Sequence, residues 1–124
     1  MTITDYKEAQ DKFYIGDEVW ACDFKYAHDK ESRHLYQKPI LGKLMAGRTE
    51  ELHKRYVDSG MATVKYFVPF KKNGTELAWS KAVTVYSRKY ATTKEECIKM
   101  FNDLIESDIK WHENEIIALK KELI

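Results

Sequence analysis

The 124-residue sequence predicts an α+β fold: a small, strongly bent antiparallel sheet or partial β-barrel packed on one long C-terminal helix. Three observations carry that reading. Residues 93–124 contain neither Gly nor Pro and place apolar side chains at steps of three and four, the period of an amphipathic helix. Between residues 14 and 90, short runs alternate apolar and polar residues with a period of two, as half-buried strands do. Gly16-Asp17, Gly60 and Asn73-Gly74 punctuate those runs with turn chemistry.

Composition bounds the rest. One domain is expected over 1–124, with a β-rich core at 14–90, a short helix near 50–58 and the long helix at 93–123. A hydrophobic fraction of 44% with 33% charged residues fits a water-soluble globular chain. Three Trp, eight Tyr and five Phe supply enough buried area for a compact core. The net charge of +1 conceals a division: 93–124 has five lysines and eight acids, a net of −3, leaving +4 elsewhere. That asymmetry is weaker than the basic footprint of a typical nucleic-acid binder. The N-terminus lacks the basic and apolar stretches of a signal peptide, and no apolar run reaches membrane-spanning length. A cytoplasmic protein without membrane contact is expected, so Cys22 and Cys97 read as free, buried thiols rather than a disulfide. Asn73-Gly74-Thr75 matches a glycosylation sequon but serves as a turn in such a protein.

The elements follow in order. Asp5-x-x-Glu8, with Tyr6, Ala9 and Phe13 at helical spacing, suggests a short N-terminal helix. Gly16-Asp17 turns into a strand over 18–26, where Trp20, Cys22, Phe24 and Tyr26 alternate with smaller or charged residues. Residues 27–38 are polar and read as an exposed loop. A second strand spans 39–46, with Gly42 as a bulge or a site of close approach. Thr49 caps a short helix with Glu50 and Glu51 at its positive end, and Gly60 stops it.

Residues 62–70 form a strand with Val64, Tyr66, Val68 and Phe70 on one side; Pro69, which has no N–H, places that stretch at an edge or ends it. Asn73-Gly74 makes the hairpin turn, Leu77-Ala78-Trp79 returns, and 81–86 is a further strand. Thr93 and Glu96 form a capping box opening the long helix. Its stripe runs Ile98, Phe101, Ile105, Ile109, His112, Ile116, Leu119, Leu123, a heptad seam with one irregular step and one histidine. Cys97, Met100, Leu104 and Trp111 widen its first half. Ser107-Asp108 offers an alternative cap at which the segment would fold back.

Tyr14-Ile15-Gly16-Asp17-Glu18-Val19-Trp20, with Ile40-Leu41-Gly42-Lys43-Leu44 as a later strand, resembles the opening of small β-barrels of the Src-homology, KOW and Tudor type. The run from Tyr86 to Glu96 is similar to the strand-to-helix passage of small uncharacterised phage-encoded proteins with a C-terminal helix. The resemblance implies a phage accessory protein acting in the host cytoplasm, and no family binding residue carries over. The inserted helix near residue 50 and the long C-terminal helix both depart from a minimal barrel.

Chemistry is sparse. No nucleophile elbow, phosphate loop, zinc-protease or dinucleotide motif is present, so no enzymatic activity and no cofactor are expected. His28 and His34 with Asp23 and Asp29 have no standard metal spacing, and no metal site is expected. The expected function is a non-enzymatic protein-binding module, engaging a host or phage protein and self-associating as a homodimer. Its expected contact residues are Trp79, Ile109, Trp111, His112, Ile116, Leu119 and Leu123. The alternative is a nucleic-acid-binding small barrel using Lys54, Arg55, Lys65, Lys71, Lys72, Arg88 and Lys89 among interleaved aromatics.

Overall fold

A computed structural model describes residues 2–3, 12–23, 38–60, 64–85 and 88–124. Six strands form one antiparallel sheet: β1 (Thr2–Ile3), β2 (Glu18–Asp23), β3 (Ile40–Met45), β4 (Tyr66–Pro69), β5 (Val83–Thr84) and β6 (Arg88–Ala91), in the order β1-β6-β2-β3-β4-β5. Among the described residues two longer helices accompany it, α1 (Glu50–Ser59) and α2 (Lys94–Lys120). The class is α+β, a curled half-barrel sheet with one long C-terminal helix and one short one, as the patterning predicts. The N-terminal helix expected around residues 5–13, the loop at 27–38 and the far end of the strand at 18–26 fall largely or wholly outside the described residues.

The turn into β2 works as the Gly-Asp pair predicts. Gly16 takes φ +94°, Asp17 N–H donates to the Tyr14 carbonyl at 3.1 Å, and the Asp17 carboxylate accepts from Tyr14 N–H at 2.9 Å. Its backbone then joins β3, with Gly16 N–H on the Leu44 carbonyl and Leu44 N–H on that of Asp17.

β2 lies at the centre of the sheet, between β3 and β6, and both its faces are covered. On the inner face Val19 and Ala21 join Phe13, Leu44, Phe67, Val85 and Tyr90 in the main core. On the outer face Cys22 joins Ala91, Cys97 and Met100, with Trp20 and Phe101 at the margin. Half-burial of this strand was the expectation; full burial of Val19, Ala21 and Cys22 corrects it, because α2 lies on the side that would otherwise meet water. Tyr90 anchors the inner face: its ring meets Phe13 and Phe67 edge-on, and its hydroxyl donates to the Val85 carbonyl at 2.9 Å.

Gly42 is a close-approach site. A Cβ there would stand 2.6 Å from the Phe67 ring and 2.5 Å from the Val68 carbonyl, so the aromatic ring occupies the space a side chain would need. Pro69 ends β4, as its missing donor requires. Phe70 N–H bonds the Leu41 carbonyl on β3, so by alternation the Pro69 nitrogen faces the other edge and no β3 bond is lost.

The return arm differs from the expectation. Asn73 closes a six-residue loop rather than a two-residue turn, its side-chain oxygen accepting from Thr75 and Glu76 N–H at 3.0 and 3.1 Å. Only Leu77 bridges to Phe70; the chain then enters a 3₁₀ turn, Trp79–Lys81, and the strand that pairs with β4 is β5. Trp79 is therefore on a turn, not in a strand.

Both helices begin, and α1 ends, where local chemistry places them. Thr49 accepts from Leu52 N–H at 3.1 Å, and Gly60 at φ +67° returns its N–H to the Tyr56 and Val57 carbonyls. Thr93 accepts from Glu96 N–H at 3.2 Å, while its hydroxyl donates to the Glu96 carboxylate at 2.8 Å. From there α2 runs unbroken through Ser107 and Asp108, with no fold-back, for about 40 Å at the usual rise per residue.

Candidate functional site

Side chains on α2 face two ways, and the division follows from spacing. Cys97, Met100 and Leu104 share the stripe that lies on β2 and β6, where Cys97 is fully buried and Met100 nearly so. A second stripe, about a quarter-turn around the helix, carries Ile98, Ile105, Ile109, His112, Ile116, Leu119 and Leu123. Past Ile109 the sheet has ended, and every residue from Trp111 to Ile124 is exposed. Ile109 and Ile116 are each about half exposed, Leu119 62% and Leu123 80%. Scattered single apolar residues on a surface are ordinary, but a heptad-spaced row on one helical face is not.

His112 sits in the middle of that row. Its Nε2 is 3.7 Å from the Asp108 carboxylate and its Nδ1 3.5 Å from that of Glu115, one turn away on each side. The Trp111 ring stands edge-on to it with centroids 5.0 Å apart. Trp111 itself belongs to the other stripe: the spacing 97, 100, 104, 111 continues the sheet-bound line beyond the end of the sheet. Ile98, the first residue of the predicted stripe, is exposed at the start of the seam, and Ile117, off its flank, is exposed too. Helical spacing identifies Ile98, whereas nothing local marks Ile117.

Trp79 is not with the helical set. It lines a cleft of about 480 Å³ between α1 and the hairpin, with His53, Lys54, Lys71, Glu50 and Glu76. The His53 ring lies 6.1 Å from the Trp79 ring, and its Nδ1 accepts from Ala46 N–H at 3.0 Å, fastening α1 to the end of β3. Partial burial lowers the His53 pKa from its ordinary value, with Glu50 opposing and Lys54 adding to the shift. The imidazole is thus held in its neutral form, which suits the acceptor role of Nδ1.

The cations with described side chains do not converge on one track. Lys54 pairs with Glu50 at 3.6 Å, Arg55 with Glu51 at 3.4 Å and Lys71 with Glu76 at 3.3 Å. Lys54 and Lys71 share the Trp79 cleft, whose two carboxylates balance their charge. Lys65 sits just before β4 and Lys72 at the exposed tip of the loop. Lys89 lines a separate groove of about 540 Å³ beside α2, with Glu96, Lys99 and Asp103. Arg88 pairs with Asp23 through the β2–β6 ladder, and its side chain lies outside the described residues.

His28, His34 and Asp29 also lie outside the described residues; among those described, no group of three His, Cys, Asp or Glu could hold a metal ion. No described helix is long and apolar enough to cross a membrane. No protein-family model, curated protein or solved structure matches the chain.

Proposed function

We propose that the protein is a non-enzymatic protein-binding module whose contact surface is the exposed seam of α2, and that a second copy of the chain is its occupant. One observation carries this reading: the apolar row Ile109, Ile116, Leu119, Leu123 continues at heptad spacing after the sheet that could cover it has ended. Flanking charges neither drive nor forbid self-pairing. In a parallel pair Glu115 of one helix flanks the core beside Lys120 of the other, while the like-charged Asp108 and Glu113 hold the association to moderate strength. Modulation of a host protein by a phage accessory protein is the wider role this surface would serve, and it rests on the sequence resemblance alone. Local neutralisation of Lys54, Arg55 and Lys71 leaves nucleic acid the less favoured partner.

Sedimentation equilibrium over a wide concentration range tests the reading. The chain is expected to dimerise, and Ile116→Glu with Leu119→Glu to abolish dimerisation without changing the circular dichroism of the sheet. A chain that stays monomeric at the highest concentration, or a double variant that still dimerises, overturns it.

A further inference from the structure

Cys22 on β2 and Cys97 in the first turn of α2 are both free and fully buried, in a cluster otherwise made of Ala91, Met100, Trp20 and Phe101. Strands β3, β4, β5 and β6 and helix α1 separate them along the chain, yet sheet register and helix docking bring the two residues into one small buried cluster. Hydrogen bonding with Cys22, then burial, pushes the Cys97 pKa up, so the closed structure holds Cys97 as an unreactive thiol. Two thiols in one small buried cluster, at the place where α2 docks on β2, are more than apolar filling.

We propose that Cys22 and Cys97 are a redox-active dithiol that closes to an intrachain disulfide on exposure to a low-molecular-weight disulfide, stapling the root of α2 to β2. When α2 lifts from the sheet, one cysteine loses its proton and attacks a sulfur of the small disulfide, releasing one thiol. The second cysteine then attacks the mixed disulfide, forming the Cys22–Cys97 bond and releasing the second thiol. The protein loses two protons and two electrons, and the small disulfide gains both. The bond would close a loop containing most of the sheet, the geometry in which a cross-link constrains the unfolded chain strongly. It leaves the exposed seam beyond Ile109 untouched, so this inference stands or falls independently of the docking role.

Incubation of the folded full chain with oxidised glutathione tests the proposal. Loss of both titratable thiols, a mass lower by about 2 Da and a Cys22–Cys97 cross-linked peptide are expected. The thermal midpoint should rise by roughly 10 °C and return on reduction. Cys22→Ala should show neither the cross-link nor the rise. Two thiols left unreacted in the folded chain overturn the proposal. So do stable glutathione adducts on both cysteines, a disulfide between chains, or a cross-link that lowers the midpoint.

Discussion

The two halves of α2 share one continuous backbone but differ in what their side chains meet. Near the N-terminus Cys97 and Met100 are enclosed by Cys22 and Ala91 of the sheet; from Trp111 onward nothing in the described chain covers any residue. The first half is helical because the sheet rewards it, and Thr93 fixes where it starts. Among the described residues the second half shows intrahelical contacts, such as those of His112 with Asp108 and Glu115, and exposed pairs of that kind contribute little. Helices of that length are marginal when isolated. The exposed apolar row on this half is the observation behind the proposed contact with a second copy.

Substitutions can break that contrast. The largest expected effect is in the body: Tyr90→Ala should cost about 3–5 kcal/mol in urea unfolding, because a fully buried ring and its bond to Val85 are lost together. Leu119→Ala, on the exposed seam, should change the stability of the monomer by less than about 0.5 kcal/mol. Comparable costs at the two sites would mean that the outer half is part of the folding unit after all.

An intermediate effect should come from the junction. Thr93→Ala removes the acceptor for Glu96 N–H and should cost about 1 kcal/mol, read as a lower thermal midpoint with self-association retained. A loss of dimer in that variant would tie the seam to the helix start more closely than the contrast allows.

The smallest effect concerns pH and belongs to the body alone. His53 has its folded pKa below the unfolded value, so between the two the unfolded chain binds more protons. The contribution is therefore complete above about pH 6.5 and declines as pH falls through the window below it. Urea midpoints at pH 5 and pH 7.5 should differ more in the parent chain than in His53→Gln. An equal difference in both would remove burial of His53 as a source of that pH dependence.

What was legible in the sequence was local. Capping at Thr49 and Thr93, the stop at Gly60, the Gly16-Asp17 turn and the tight spot at Gly42 each depend on a few neighbouring residues, and the structure has them all. Features decided by distant pairing were not. Nothing near Leu77 announces that β5 rather than 77–79 pairs with β4, and the 3₁₀ turn at Trp79 comes from how the loop settles on Pro69 and Ala78. The pairing of β6 with β2 brings Ala91 beside Trp20, and docking of α2 on that face brings Cys97 to Cys22, long-range juxtapositions that periodicity cannot register. The seam was visible because helical spacing is itself local. The place of Trp79 was not, since its cleft is assembled from α1 and the hairpin.

Amide hydrogen exchange along α2 at two protein concentrations tests the central claim most directly. Amides around Met100 to Leu104 should be well protected at both concentrations. Those from Glu113 to Leu123 should be protected when the protein is concentrated and exchange far faster on dilution, as a helix held by a second copy must. Protection of the outer half that is strong and independent of concentration would contradict the account, because the helix would then need no partner.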